Sequence, residues 1–409
     1  MRALPFLLMI APVPLAAVAA LASASRPPAE VPVPIAARDA GTATLTPDTE
    51  ARWVPFDLTP GNQIRFTMTL DGRPVTAILD TGVSYSVLGR GSPAVDATKL
   101  KPGGSATAIG GAVPIDWMPT QTLAVGGLVR TGGGVTVAQL PALATGSSTA
   151  VDLLVGRDLI GAQALDIDYE NRRFRLLLSG RMPFVGSVAP LSVSPARRVY
   201  ESELTLGNRR LRPVVVDTGD GSSITVSRGD WTAAGLSRLP TTTAISFGLA
   251  GSMISDLAVV PGLKLGQLVA REVETRIEPA NGFSQSIGTA GRVGSGFLQN
   301  YRVLLDPGAG RMVLKPGPKA YQPPLRSTSG LLVGLVRDRL RVLHVMRGGP
   351  AAAAGWHDGD EICTINGQPI PADYPGSTLA TWSVGAPGTR VTLGLCDGET
   401  RLLTLARFY

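Results

Sequence analysis

Histidine and cysteine are nearly absent, with two of each in 409 residues. So few cysteines exclude a zinc-rich scaffold or a disulfide framework. So few histidines weigh against hydrolases that need an imidazole base. Both, His344 and His357, lie in the last quarter of the chain, and no G-x-S-x-G or H-E-x-x-H motif occurs. Charge is also sparse at 17%, and the net +7 is scattered over short pairs such as Arg172-Arg173 and Arg209-Arg210. A nucleic-acid binder would cluster its basic residues or interleave them with aromatics, so no nucleic-acid partner is expected. The hydrophobic fraction of 44% excludes general disorder. What the chain has in excess is glycine and proline, 49 and 33 residues without a collagen period, which points to a turn-rich, mainly β fold. The length predicts two to three domains.

The N-terminus begins Met1-Arg2, runs apolar from Leu4 to about Ala22 and offers small-residue sites at Ala20-Leu21-Ala22 and Ala22-Ser23-Ala24. This grammar predicts a signal peptide over 1–24 and an exported protein, in the periplasm or cell envelope or secreted. Pro5, Pro12 and Pro14 argue against an uncleaved anchor, and no later stretch is long and apolar enough to span a bilayer, so no membrane span is expected after cleavage. Residues 25–48, rich in Pro, Ala and Thr, read as a flexible spacer.

An internal repeat organises residues 49–316. Ala77-Ile78-Leu79-Asp80-Thr81-Gly82 is echoed by Val214-Val215-Val216-Asp217-Thr218-Gly219, 137 residues later, and in both copies a Ser follows the Asp by six positions, Ser86 and Ser223. Further landmarks keep an offset of 138: Ile109-Gly110-Gly111 with Phe247-Gly248-Leu249, Leu153-Leu154-Val155-Gly156 with Gly291-Arg292-Val293-Gly294, and Asp168 with Asp306. The runs are short, β-branched and bounded by Gly and Pro, so two β-rich copies are expected over 49–184 and 190–316, with short helices after Gly156 and Gly294.

An Asp that ends an apolar strand and is followed by Thr-Gly sets a carboxylate on a tight turn. Two such turns about a pseudo-two-fold axis place two carboxylates side by side. These cannot both ionise comfortably and so share a proton. One then acts as general base on water while the other donates to a carbonyl, with no histidine, metal or cofactor needed. Asp220, just after the second motif, is a third carboxylate that would raise the pair or select basic side chains.

These residues resemble the active-site motif of retropepsin-like aspartic proteases, and the resemblance covers about 49–316. It implies a bilobal fold with the cleft between lobes, Asp80 and Asp217 as the catalytic pair, and loop support from Thr81, Gly82, Thr218 and Gly219, the two Thr bracing the loops reciprocally. It places substrate flaps at Ile109, Gly110, Gly111 and at Phe247, Gly248, Leu249. Leu154-Val155-Gly156 and Arg292-Val293-Gly294 resemble the family's second element, which braces the loops. With both lobes in one chain, a monomer is complete.

Residues 317–327 form a Pro-rich linker. Beyond it, the run from Gly348-Gly349-Pro350 to Asn366-Gly367-Gln368-Pro369-Ile370 resembles a PDZ domain, over 328–409. The resemblance implies capture of a peptide C-terminus at Gly330, Leu331 and Leu332, or a docking role that only positions the catalytic unit. Cys363 and Cys396 fall on strands that pair in that fold; in an exported protein they form a disulfide or serve as two small buried hydrophobes. The expected function is that of an exported aspartic endopeptidase acting on extended polypeptides, its PDZ module recruiting or gating substrate. The alternatives are a non-catalytic peptide-binding pseudo-protease and a protein that only processes itself.

Overall fold

The computed structural model describes residues 41–145 and 150–409. The signal segment and the spacer up to residue 40 lie outside the described residues. The end of that spacer is not loose chain. Thr42–Leu45 is a strand that pairs antiparallel with Leu128–Thr131, because its Thr-Ala-Thr-Leu alternation turns Ala43 and Leu45 toward the core. Among the described residues no helix is long and apolar enough to cross a membrane.

The chain is mainly β, and the described residues form four sheets. An eleven-stranded sheet is built from residues 42–155, an eight-stranded sheet from 192–294 and a six-stranded sheet from 331–404. The fourth sheet, also six-stranded, draws on both repeats, ordering Ser187–Pro190, Arg311–Pro316, Tyr301–Asp306, Ala164–Asp168, Arg173–Leu177 and Val54–Pro55. At its centre Leu165 faces Leu305 and Ile167 faces Val303. The offset of 138 turns Leu165 into Val303 and Ile167 into Leu305, so this pairing maps onto itself.

Each repeat positions its Asp-Thr-Gly by the same device. Arg73–Leu79 lies parallel to Leu153–Val155, and Arg209–Asp217 lies parallel to Gly291–Gly294. These central strands read as continuous apolar runs because both their faces are covered. Ile78, Leu79, Val214 and Val216 are fully buried, each contributing about 1.5–3 kcal/mol of apolar burial. One core cluster extends from Val54 to Leu314 through both repeats, and a second, from Leu331 to Leu405, belongs to the C-terminal sheet. A small cluster of Ala244, Leu257, Met346 and Tyr409 joins the second repeat to the C-terminal segment.

The helices expected after the two bracing glycines are present, as Arg157–Ile160 and Ser295–Leu298. The register corrects one sequence equivalence. Leu154 faces Val87 whereas Arg292 faces Thr225, so the second loop holds one extra residue and Ser223 is not the counterpart of Ser86. The backbone hydrogen bonds place the insertion after Asp220: Arg157 N donates to Val83 O as Ser295 N does to Asp220 O, but Asp158 N donates to Ser84 O where Gly296 N donates to Ser222 O. Gly221 therefore has no counterpart, and it lies so close to the backbone of Gly61 that no side chain fits there.

Candidate active site

Asp80 and Asp217 close the two apolar strands and come within hydrogen-bonding reach of each other. The glycine of each loop is pressed against the carboxyl group of the other. A methyl on Gly82 would overlap the carboxyl of Asp217, and one on Gly219 would overlap that of Asp80, so only glycine allows the approach. Each carboxylate also accepts from its own loop: Gly82 N donates to Asp80 Oδ1 at 3.0 Å, and Gly219 N to Asp217 Oδ1 at 3.0 Å.

Thr81 and Thr218, both fully buried, lock the loops together. Thr81 N donates to Thr218 Oγ1 at 3.1 Å and Thr218 N to Thr81 Oγ1 at 3.0 Å. Each hydroxyl then donates across the pair, Thr81 to Val216 O and Thr218 to Leu79 O, both at 2.7 Å. Each hydroxyl thus accepts and donates once, and the four bonds leave none of these polar groups unpaired.

Burial first, and then the charge of Asp217, raise Asp80 well above the usual carboxylate range. Burial and the charge of Asp220 push Asp217 up to about 6, with Arg292 pulling the other way. Two carboxyl groups this close, both raised, favour one proton shared between them.

Asp220 is not a free carboxylate. Arg292 Nε donates to Asp220 Oδ2 at 2.8 Å and Arg292 Nη1 to Glu278 Oε1 at 2.7 Å, all three side chains being almost inaccessible to solvent. Ser222 N and Oγ donate to Asp220 Oδ1 at 2.9 and 2.7 Å. Burial alone would raise Asp220, but the charge and hydrogen bond of Arg292 override it and hold the group down to about 2. The charge of Asp220 is thus already paired inside the protein, while its side chain lines a cavity beside Gly219. The sequence signal for Arg292 was a cation inside an apolar strand, at the position of Leu154 in the first copy.

The two glycine-rich hairpins meet over the loops. Lys101–Ala108 and Gly111–Pro119 turn at Ile109-Gly110, and Thr242–Gly248 and Gly251–Leu265 turn at Leu249-Ala250. Ala250 N donates to Ile109 O at 3.2 Å. Each tip crosses to the opposite repeat: Leu249 packs on the apolar cluster of Ile78, Val87 and Leu154, while Ile109 and Phe247 wall a cavity beside Gly219.

In the C-terminal segment, Leu331–Val336 is an edge strand that, among the described residues, pairs only with Arg339–Val345. Gly330 N donates to Ser327 Oγ and Leu331 N to Ser329 Oγ, both at 3.1 Å, so two N–H groups expected to hold a carboxylate are already occupied. Leu332 packs against the cluster of Ala244, Leu257 and Met346. The segment is fastened to the base of the second hairpin: Thr243 Oγ1 lies 2.7 Å from His344 Nε2, Arg347 N donates to Thr243 Oγ1 at 3.0 Å, and Arg347 pairs with Asp256 at 3.0 Å. Nothing in the sequence announced this contact, because it joins two separately folded cores. Cys363 and Cys396 are bonded, with sulfurs 2.06 Å apart.

Compared with known protein families and curated proteins, the chain matches no family model and no curated sequence.

Proposed function

We propose that this chain is an exported aspartic endopeptidase, formed by two retropepsin-like lobes and a C-terminal PDZ-like module. The observation that carries this reading is the pair of cross-locked Asp-Thr-Gly loops, which brings the half-buried Asp80 and the buried Asp217 within hydrogen-bonding reach, both raised above the usual carboxylate range. A merely structural turn has no need of two acids held side by side, since placing them together away from water costs stability.

In the proposed reaction the ionised carboxylate of the pair takes a proton from a water molecule as its oxygen attacks the scissile carbonyl carbon. The protonated partner donates its proton to the carbonyl oxygen. The resulting tetrahedral diol collapses when the proton on the first carboxyl passes to the amide nitrogen, the C–N bond breaks, and the second carboxyl recovers its proton from the diol. The Gly82 and Gly219 N–H groups and the Thr81–Thr218 lock hold both acids in place for this exchange. The substrate is an extended polypeptide lying under the two hairpin tips, where it can pair as a strand. The C-terminal module acts on the same cleft through its contact with the base of the second hairpin.

The test is digestion of an unfolded protein by the full chain between pH 4 and 7, with and without a pepstatin-type transition-state mimic. Cleavage that the mimic slows supports the reading. Binding of peptides with no cleavage at any pH supports a non-catalytic peptide binder instead.

A further inference from the structure

A cavity of about 230 Å³ lies between the repeats beside Gly219, under Phe247 and Met253 of the second hairpin, with Asn62, Gln63 and Ile109 of the first repeat closing one side. The corresponding place in the first repeat is packed with apolar side chains. The register sets Leu154 opposite Val87 and Arg292 opposite Thr225, and in the parallel ladders beside them it sets Ala138 where the second repeat has Glu278. Val83, Val87, Ala138 and Leu154 all belong to one apolar cluster, and their counterparts Asp220, Thr225, Glu278 and Arg292 all line the cavity. Where the first repeat has an apolar plug, the second repeat thus supplies one polar wall of a chamber that opens next to the reacting pair.

Most of that chamber's hydrogen-bonding capacity is spent within the wall. Asp220 is held by Arg292 and Ser222, and Glu278 by Arg292 Nη1 and by Ser284 N at 2.8 Å. Two buried lining atoms are left without a partner among the described residues. Ser255 Oγ and Arg276 Nε are buried and make no hydrogen bond to any described residue, although Ser255 is only 3% exposed. Arg276 Nη1 reaches Ile245 O only at 3.5 Å. An orphaned buried donor is costly, so such a pair marks a place for a ligand group. Arg276 Nε can only donate, whereas a serine hydroxyl donates or accepts.

Charge narrows the ligand further. The wall carries two carboxylates and two guanidinium groups, so it is balanced as it stands. A lysine or arginine would meet Arg276 and find no unpaired carboxylate. A carboxylate would add an uncompensated negative charge next to a pair that must keep one negative charge itself. A neutral group with both an acceptor and a donor satisfies both orphans at once.

We propose that this cavity is a specificity subsite for a substrate side chain ending in a carboxamide, glutamine or asparagine. Its oxygen accepts from Arg276 Nε and its NH₂ donates to Ser255 Oγ. The assignment rests on the peptide-hydrolase reading for the identity of the substrate, and it adds what residue that substrate presents.

The test uses octapeptides in which each position in turn carries Gln, Glu, Lys or Leu. Cleavage by the full chain is read by mass spectrometry, and binding of the same peptides to the Asp80→Asn full chain is read by fluorescence anisotropy. At one position near the scissile bond Gln is expected to exceed Leu and Lys by about 10-fold, since a site built on hydrogen bonds rejects side chains that leave them unmade. Ser255→Ala, which removes one hydroxyl, and Arg276→Met should each cut that preference to about 2-fold or less while Leu peptides are still cleaved. Cleavage without a Gln preference, a preference for Glu or Lys, or a Gln preference that both variants retain overturns the subsite and leaves the hydrolase reading standing. If nothing is cleaved, the hydrolase reading falls. The binding data then decide the subsite: a Gln preference lost in Ser255→Ala upholds it, and indifference to Gln overturns it.

Discussion

Arg292 Nε donates to Asp220 Oδ2 across 2.8 Å at the place where the first repeat packs Leu154 near Val83. Two copies of one unit have thus solved the same contact once with apolar groups and once with buried charge. The ionic version is closed by Glu278, itself fully buried. Its members depend on one another, because a buried charge is tolerable only while its partners remain.

Removing the cation alone is therefore expected to be costly. Arg292→Leu should lower the unfolding free energy by about 3–5 kcal/mol, since it strands Asp220 and Glu278. The triple change Asp220→Val, Glu278→Ala, Arg292→Leu, which copies the first repeat, should recover most of that loss, as apolar replacement of a buried ionic triad is often neutral or better. Denaturant titration of both variants checks this, and a triple variant no more stable than the single one would contradict it.

The same triad tunes the acid pair. Catalysis by a shared proton fails on the alkaline side when that proton is lost, so a raised pair carries activity toward neutral pH. Asp217 is pushed up to about 6 by burial and then by the charge of Asp220, with Arg292 pulling it down. Asp220→Asn removes the push and leaves the pull, so the alkaline limb of kcat/KM should move to lower pH. A limb that stays in place, or moves up, would show that Asp220 does not govern the pair.

The threonine lock should be sensitive to the loss of a hydroxyl and tolerant of its retention. Thr81→Ala or Thr218→Ala removes one donor and one acceptor at a fully buried site, a cost of about 2–4 kcal/mol for the two unpaired groups left behind. Thr→Ser at either position keeps both bonds and should restore most of the stability and activity. Thermal unfolding and cleavage rates of the four variants decide the matter.

The C-terminal module should act through its fastening to the second hairpin. Thr243→Val removes the hydroxyl shared by His344 and Arg347 N while keeping the β-branched shape. Hydrogen exchange across Thr242–Leu257 should quicken locally, and cleavage should change in KM or kcat without a shift in the pH profile. Unchanged exchange in that hairpin would show the contact to be passive. Separately, reduction of the Cys363–Cys396 bond, which closes a separation of 33 residues, should lower the module's stability by roughly 3–4 kcal/mol on the chain-entropy account.

Much of the fold is legible in the chain itself because the repeat supplies its own control. Apolar runs ending in Asp-Thr-Gly at matched spacing locate both turns, and a mainly β architecture follows from short β-branched runs between Gly and Pro. The single insertion at Gly221 is hidden, since a one-residue slip leaves the motifs aligned and shows only in the strand register that sets Thr225 against Arg292. The pairing of Asp220 with Arg292 is also hidden, because 72 residues separate them and only the parallel strands bring them together. Thr42–Leu45 reads as spacer in the sequence, its alternation too short to stand out beside a Pro-rich stretch. The contact between Thr243 and His344 leaves no local signal at all, being a meeting of two surfaces.

The most direct measurement is cleavage of an unfolded protein by Asp80→Asn and Asp217→Asn full chains beside the unaltered one, with circular dichroism to verify folding. Both variants should keep the fold and lose cleavage by several orders of magnitude, because either change leaves the pair unable to hold one proton and one charge. A folded Asp217→Asn protein that cleaves at the unaltered rate would contradict the account.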